Sequence, residues 1–151
     1  MIAVLCLLTI VFTNHSCDSK SNDIELKLEN YLNSKYKSLK GKKAIFILSD
    51  KGCLACNRSY SSFLNNYSND RNYLIVNLSK GSQINISNFL DADNVVNDFN
   101  GDISEYISVE GSQVILLRNN IIDTVLNVKA SNWVSGMKFL ENELDLIDSG
   151  F

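Results

Sequence analysis

The chain has 151 residues, a net charge of −3, four cysteines, one histidine and no proline. A chain of about 150 residues usually forms a single domain, so two full domains are excluded. The charge balance is mildly acidic, and Lys and Arg are spread singly and not in runs, so we predict no nucleic-acid partner.

The N-terminal segment predicts a signal peptide of the lipoprotein type over residues 1–16. Residues 2–12 are apolar except for one threonine. A transmembrane helix needs about 20 apolar residues, whereas a signal-peptide core needs about 7 to 15. Cys17 follows the small residue Ser16, which resembles the lipobox of bacterial lipoproteins. We therefore expect a lipid anchor on Cys17 that holds the protein in the bacterial cell envelope, facing the periplasm or the cell surface, with ordinary secretion as the alternative.

Cleavage before Cys17 would remove Cys6 and the only histidine, His15. The mature domain would then lack the general base of Ser-His-Asp and Cys-His catalysis, and it would lack every histidine metal ligand. We expect any catalysis to use thiols, carboxylates, lysines or tyrosines.

Alternating helical and strand patterns follow the predicted cleavage site. Apolar residues at helical spacing predict an amphipathic helix over 22–39, within a region of tether and helix over 17–42. Continuous apolar runs over 43–48 and 73–78 predict strands buried on both faces. A helical pattern that starts at Cys53 lies between these two strands.

The second half of the chain contains a less regular part and then clearer patterns. Its predicted elements are a loose strand-like alternation at 84–89, short helical turns over 95–107, strands over 113–118 and 121–128, and a last helix that begins at Ser131 or Asn132. The pair Asn119-Asn120 predicts a two-residue hairpin turn, because asparagine tolerates positive φ. The order of elements predicts an α/β domain with a mixed sheet of four strands flanked by helices and an extra N-terminal helix.

The most specific motif is a C-x-x-C formed by Cys53 and Cys56 at the junction of a buried strand and a helix. Unpaired N–H groups and the dipole at a helix N-terminus favour the thiolate form of a cysteine there. We therefore predict that Cys53 is the exposed nucleophile and that Cys56 is the buried, resolving thiol. Lys51 and Arg58 flank the pair and add positive potential.

Gly52 precedes the first cysteine, so the motif reads Gly-Cys-x-x-Cys after an apolar strand. The domain over 43–151 thereby resembles the thioredoxin superfamily, and in particular the small thioredoxin-like lipoproteins of Bacteroidetes-type bacteria. The resemblance implies a minimal thioredoxin-like fold and an envelope thiol-disulfide oxidoreductase that exchanges disulfides with protein thiols or disulfides. It further implies no bound cofactor and no metal, with a membrane electron donor where the protein works as a reductase.

Two features separate this chain from the thioredoxin pattern and leave alternatives open. The family places a cis-proline before the hairpin strand, where this chain has Ser112, so we expect a trans peptide and an altered substrate groove. The tryptophan usual before the first cysteine is also missing. One alternative is therefore a non-catalytic binding lipoprotein with a structural or degenerate disulfide, and another is a metal site shared by two copies. Asp50 is interpreted as an ordinary turn residue.

Overall fold

The computed structural model describes residues 18–81, 84–87 and 89–148. The predicted signal peptide with Cys6 and His15, and the predicted lipidation site Cys17, lie outside these residues. The described helices and strands follow in the order α1 (Asp18–Ser34), β1 (Ala44–Leu48), α2 (Leu54–Leu64), β2 (Tyr73–Asn77), β3 (Val95–Asn97), β4 (Gln113–Arg118), β5 (Ile121–Asn127) and α3 (Trp133–Asp148). None of the described helices is both long enough and apolar enough to span a membrane.

The strands form one mixed sheet in the order β3-β2-β1-β4-β5. β1, β2 and β3 run parallel, β4 runs antiparallel to β1, and β5 runs antiparallel to β4. The predicted hairpin turn is confirmed, since Asn119 and Asn120 have φ angles of 55° and 65°. The α/β class with a mixed sheet flanked by helices is therefore confirmed, whereas the prediction of four strands is wrong.

The additional strand is β3, at the start of the region 95–107 where the sequence predicts short helical turns. A helical turn is found later in this region, where Asp102–Glu105 form a 3-10 helix. Val95 and Val96 pair with Ile75 and Val76 of β2. A strand of three residues is too short to show an alternating pattern, and its hydrogen-bond partners lie about 20 residues earlier in the chain, so the local sequence does not reveal it. The described residues of 84–89, interpreted as strand-like, form turns whose apolar side chains are buried in the core.

The core occupies both faces of the sheet, which explains the continuous apolar runs of β1 and β2. On one face, α2 and α3 bury Tyr60, Leu64 and Leu140 against Phe46 of β1. On the other face, α1 and the segment 102–109 cover the alternate side chains of the strands. Edge-to-face contact between Phe46 and Phe63, with ring centroids 6.2 Å apart, helps to fix α2 on the sheet.

The first helix ends at Ser34 and not at Leu39 as its periodicity predicts. The chain turns back after Ser34, and the Glu29 carboxylate accepts hydrogen bonds from the Leu39 backbone N–H and the Ser38 hydroxyl. Leu39 is still buried. It continues the apolar pattern because it packs in the core, although its backbone is not helical. Tyr36 lies within this turn at a φ of 57°.

Candidate active site

The two motif cysteines lie at the carboxyl end of β1, joined by a disulfide bond with their Cα atoms 5.2 Å apart. Cys53 is the N-cap residue of α2, and its sulfur accepts a hydrogen bond from the Cys56 backbone N–H at 3.2 Å. An N-cap acceptor satisfies one of the helix's unpaired donors and faces the positive end of the helix dipole. The predicted position of Cys53 at the start of α2 is therefore found, although its side chain is half-buried and not exposed.

The two sulfur-bearing side chains differ in exposure. Cys53 is half-buried, whereas Cys56 is only 5% exposed and lies on the face of α2 that packs on the sheet. An external thiol or thiolate therefore reaches the sulfur of Cys53 before that of Cys56. This asymmetry is the one that disulfide exchange requires of an attacking and a resolving thiol.

A tight turn before Cys53 sets the start of α2. Gly52 has a φ of 89°, a region in which a side chain would strain the backbone. The Lys51 backbone N–H donates to the Ser49 hydroxyl at 3.1 Å, and Gly111 lies beside the Lys51 carbonyl. The turn is thus held on both sides, and the Lys51 side chain is exposed.

Asn57 joins the same turn to α2 through hydrogen bonds. The sequence did not predict this role. It is fully buried directly after Cys56, and its amide nitrogen donates to the Lys51 carbonyl at 2.8 Å. Its backbone N–H donates to the Cys53 carbonyl at 2.9 Å, so both ends of the loop 51–57 are tied. Residue 57 lies three and seven positions before the core residues Tyr60 and Leu64, and this helical spacing was the available signal that Asn57 faces inward.

The amide oxygen of Asn57 is buried and has no hydrogen-bond partner among the described residues. An unpaired buried acceptor costs about 1–3 kcal/mol. Asn57 Oδ1 shares this feature with Asn94 Oδ1, which lies before β3.

Ser112 lies on the neighbouring strand edge, directly before β4. Its hydroxyl accepts from the Ser49 backbone N–H at 3.0 Å and donates to the Ser49 carbonyl at 3.3 Å. Its own carbonyl accepts from the Val128 N–H at 2.9 Å. No peptide bond is cis in the described ranges, so the expected trans peptide before Ser112 is confirmed. Ser112 is buried, and its polar groups point into the protein.

Asp50 links two parallel strand ends and behaves as the turn residue that the sequence predicts. One carboxylate oxygen accepts from the Ser79 hydroxyl at 2.7 Å, and the other accepts from the Lys80 backbone N–H at 3.0 Å. These bonds join the turn after β1 to the turn after β2.

Tyr60 connects the second turn of α2 to the start of β4. Its hydroxyl donates to the Gln113 carbonyl at 2.9 Å, and the Gln113 amide donates to Asn127 Oδ1 at 2.8 Å. Complete burial raises the pKa of Tyr60 well above its ordinary value of 10. A neutral hydroxyl therefore holds α2 and β4 at a fixed separation.

Charged and metal-binding groups around the disulfide are sparse. Lys51 and Arg58 are both exposed, so each adds positive potential through solvent. Within the described ranges, no three His, Cys, Asp or Glu side chains come together as a potential metal site. The chemistry that the described site offers is that of its two sulfur atoms.

Comparisons with protein-family models, with curated proteins and with solved structures found no match to this chain.

Proposed function

We propose that the protein is a thiol-disulfide oxidoreductase with a thioredoxin-like fold. The observation that carries the proposal is the asymmetric disulfide at the N-terminus of α2, with Cys53 half-buried and Cys56 buried. A purely structural disulfide needs neither a helix N-terminus nor one accessible sulfur. The helix N-terminus lowers the cost of forming a thiolate at Cys53, and the accessible sulfur can attack a substrate disulfide or be attacked by a substrate thiolate.

The proposed reaction uses the reduced protein as a two-electron donor. The Cys53 thiolate attacks a substrate disulfide, forms a mixed disulfide and releases one substrate thiol. The Cys56 thiolate then attacks the Cys53 sulfur, which releases the second substrate thiol and leaves the Cys53–Cys56 disulfide. An external dithiol donor returns two electrons and two protons to the pair, and an excess of substrate dithiol runs the same steps in reverse.

The order of elements supports the thioredoxin-like part of the proposal. A strand, a C-x-x-C helix, a parallel strand, an antiparallel hairpin and a closing helix follow one another along the chain. The short strand β3 extends this arrangement at the sheet edge beside β2.

We further propose that Cys17 carries a lipid anchor and that the protein exchanges disulfides with proteins of the cell envelope. The support is the apolar segment 2–12 with a cysteine shortly after it. Radiolabelled fatty acid should be incorporated into the wild-type chain expressed in a bacterium and not into Cys17→Ala. Equal incorporation into both chains would contradict the anchor and would leave the redox proposal untouched.

A second candidate function is a binding module without catalysis, which the surroundings of Ser112 favour. Its hydroxyl and carbonyl are both used inside the protein, so they are not offered to an extended substrate. In this case the disulfide would only stabilise the start of α2.

Reduction of insulin by dithiothreitol, followed by turbidity, separates these two functions. We expect the wild-type protein to accelerate the reaction and Cys53→Ser to run at the rate of dithiothreitol alone. Cys56→Ser is the matched control, because it keeps the nucleophile and should accumulate a mixed disulfide without turnover.

The proposal is wrong if the wild type fails to accelerate reduction of both insulin and a glutathione mixed disulfide. Thiol labelling against pH gives a second measurement on the reduced protein. A redox site predicts a pKa of Cys53 below the free-cysteine value of about 8.5, whereas a purely structural pair predicts no lowering.

A further inference from the structure

A basic groove lies at the end of the sheet opposite the disulfide. The segment 35–43 precedes β1, Arg71 precedes β2 and Asp93 precedes β3, whereas Cys53 follows β1. A groove of about 380 Å³ is lined there by Lys37, Lys40, Lys42, Arg71 and Tyr36, and its lining also includes one carboxylate, that of Asp93. We call this feature the basic groove.

The local charge of the basic groove differs from that of the whole chain. The segment 35–43 contains five lysines and no acidic residue, although the protein has a net charge of −3. Three of these lysines line the groove, whereas Lys35 pairs with Asp102. The interpretation that Lys and Arg are spread singly and not in runs therefore does not describe the folded surface at this groove. The fold brings Arg71, from elsewhere in the chain, to the same groove.

Most of these charges are not neutralised by carboxylates. Lys37 Nζ donates to the Asp93 carbonyl and Lys42 Nζ donates to the Arg71 carbonyl, both at 2.5 Å. Within the described residues, Lys37, Lys40 and Lys42 form no ion pair. Arg71 and Asp93 are 3.9 Å apart with both side chains about nine-tenths exposed, which makes a weak pair.

The like charges in the basic groove affect one another. Burial lowers the pKa of Lys42, and the neighbouring charges of Lys37 and Arg71 lower it further, although Asp70 opposes them. Folding alone would not favour this crowding, because like charges repel. An anion placed in the groove would relieve the repulsion.

An aromatic side chain beside these lysines is left in water. Tyr36 is 97% exposed, and its φ of 57° is unfavourable for a residue with a side chain. Its ring therefore contributes little to the core. Tyrosine with exposed cations beside it is typical of the headgroup level of a membrane, where the ring lies among headgroups and the cations contact phosphates.

We propose that the basic groove docks on the headgroups of an anionic phospholipid surface. The acidic remainder of the protein is repelled from such a surface, so docking selects one orientation. In that orientation the amino ends of the parallel strands face the bilayer and the disulfide faces away from it. The inference does not depend on the redox activity, since it uses no residue of the candidate active site.

The test is sedimentation of the full chain with vesicles of phosphatidylcholine alone and with vesicles containing phosphatidylglycerol as well. The apolar segment 2–12 adds the same affinity to both vesicle types, so the ratio of the two partition coefficients isolates the charge effect. We expect Lys37→Gln/Lys40→Gln to reduce this ratio by about fivefold for each lysine. Tyr36→Asn should weaken binding to both types, and asparagine tolerates the backbone conformation at this position.

Lys80→Gln/Lys138→Gln is the matched control, because it removes two exposed lysines away from the basic groove. It should leave the ratio close to that of the wild type. Raising the ionic strength from about 0.1 M to about 1 M shortens the screening length from about 10 Å to about 3 Å and should abolish the wild-type preference. Three results would overturn the proposal: no preference for anionic vesicles, equal loss in the control variant, or binding of a single-stranded oligonucleotide without binding of anionic vesicles.

Discussion

Turns and loops form both ends of the parallel strands. The two ends differ in the groups to which their polar side chains hydrogen-bond. At the carboxyl end, Ser49, Asp50 and Ser112 bond to one another's turns or to neighbouring strands. At the amino end, Lys37 and Lys42 bond only to carbonyl oxygens and keep their charges facing the groove.

The polar groups at the carboxyl end fix the geometry of a loop, whereas those at the amino end carry net charge. Buried neutral hydrogen bonds fix the loop that carries Cys53, because each lost partner would cost the full desolvation of the other. Lys40 and Arg71 are exposed, Lys37 and Lys42 are half-buried, and charges that lie beside solvent fix little geometry. The carboxyl end is therefore suited to positioning one reactive sulfur, and the amino end to a partner recognised by charge.

The largest expected effect comes from placing a charge within the carboxyl end. Asn57→Asp replaces the donor of the bond to the Lys51 carbonyl with an oxygen, inside a site of no solvent exposure. An unpaired buried charge costs about 3 kcal/mol or more, so the free energy of unfolding of the oxidised protein at pH 7 should fall by about that amount. Urea unfolding followed by circular dichroism measures it.

Asn66→Asp is the control for this change, because it is the same substitution at an exposed residue just beyond α2. Its stability should lie within about 0.5 kcal/mol of the wild type. Equal free energies of unfolding for Asn57→Asp and Asn66→Asp would contradict the inference that Asn57 holds the loop 51–57 against α2. Asn57→Ala should fall between them.

Much of the carboxyl end could be predicted from the sequence, because its signals are local. Apolar runs located β1 and β2, and the cysteine spacing with the strand before it placed Cys53 at the start of α2. Asn57, the Ser49–Ser112 pair and β3 were missed, since their partners are distant in the chain. The end of α1 was misplaced because Leu39 keeps the helical spacing while its backbone turns back onto Glu29.

The charge at the amino end is visible in part in the sequence, as the lysines of the segment 35–43. Three of the five lysines in the segment 35–43 line the groove, although these three are not adjacent in the sequence. Arg71 joins them only through the pairing of β1 with β2. Charge clustering is a property of the folded surface, so the sequence alone predicts it only where charged residues are adjacent in a long run.

Alkaline pH should weaken the carboxyl end through two buried tyrosines. Burial raises the pKa of Tyr60, and burial together with the Asp98 charge raises that of Tyr31, which donates to Asp98 at 3.0 Å. Below pH 10 both tyrosines keep their protons in the folded and the unfolded chain. Above pH 10 only the unfolded chain releases them, so the free energy of unfolding should fall by about 1.4 kcal/mol per pH unit for each tyrosine.

Urea unfolding at several pH values between 9 and 11 measures this slope, because the range spans the ordinary tyrosine pKa of 10. Tyr60→Phe should remove one of the two contributions to the slope. Tyr36→Phe is the matched control at a side chain that is 97% exposed. A Tyr60→Phe variant with the wild-type slope would show that burial of its hydroxyl does not govern alkaline unfolding.

A smaller effect is expected from the Ser112 hydroxyl, which joins the residue before β4 to the residue after β1 at the carboxyl end. Ser112→Ala removes both hydrogen bonds to the Ser49 backbone and should lower the free energy of unfolding by about 1 kcal/mol. Ser59→Ala, on the exposed side of α2, should be neutral or slightly stabilising because alanine is the better helix former. If Ser112→Ala matches Ser59→Ala, the inward hydrogen bonds of Ser112 do not stabilise the fold.

The smallest expected effect tests the amino end through the titration of one amine. The charge of Lys37 lowers the pKa of Lys42, in addition to burial and Arg71 and against Asp70, so Lys37→Gln should raise it. Acetylation of the folded protein at a series of pH values, read by mass spectrometry, gives the midpoint for Lys42 relative to the exposed Lys138. Lys27→Gln, on α1 and paired with Asp23, should not move that midpoint. A midpoint unmoved by Lys37→Gln would mean that the groove charges are already screened, and the repulsion that an anionic surface is proposed to relieve would then be absent.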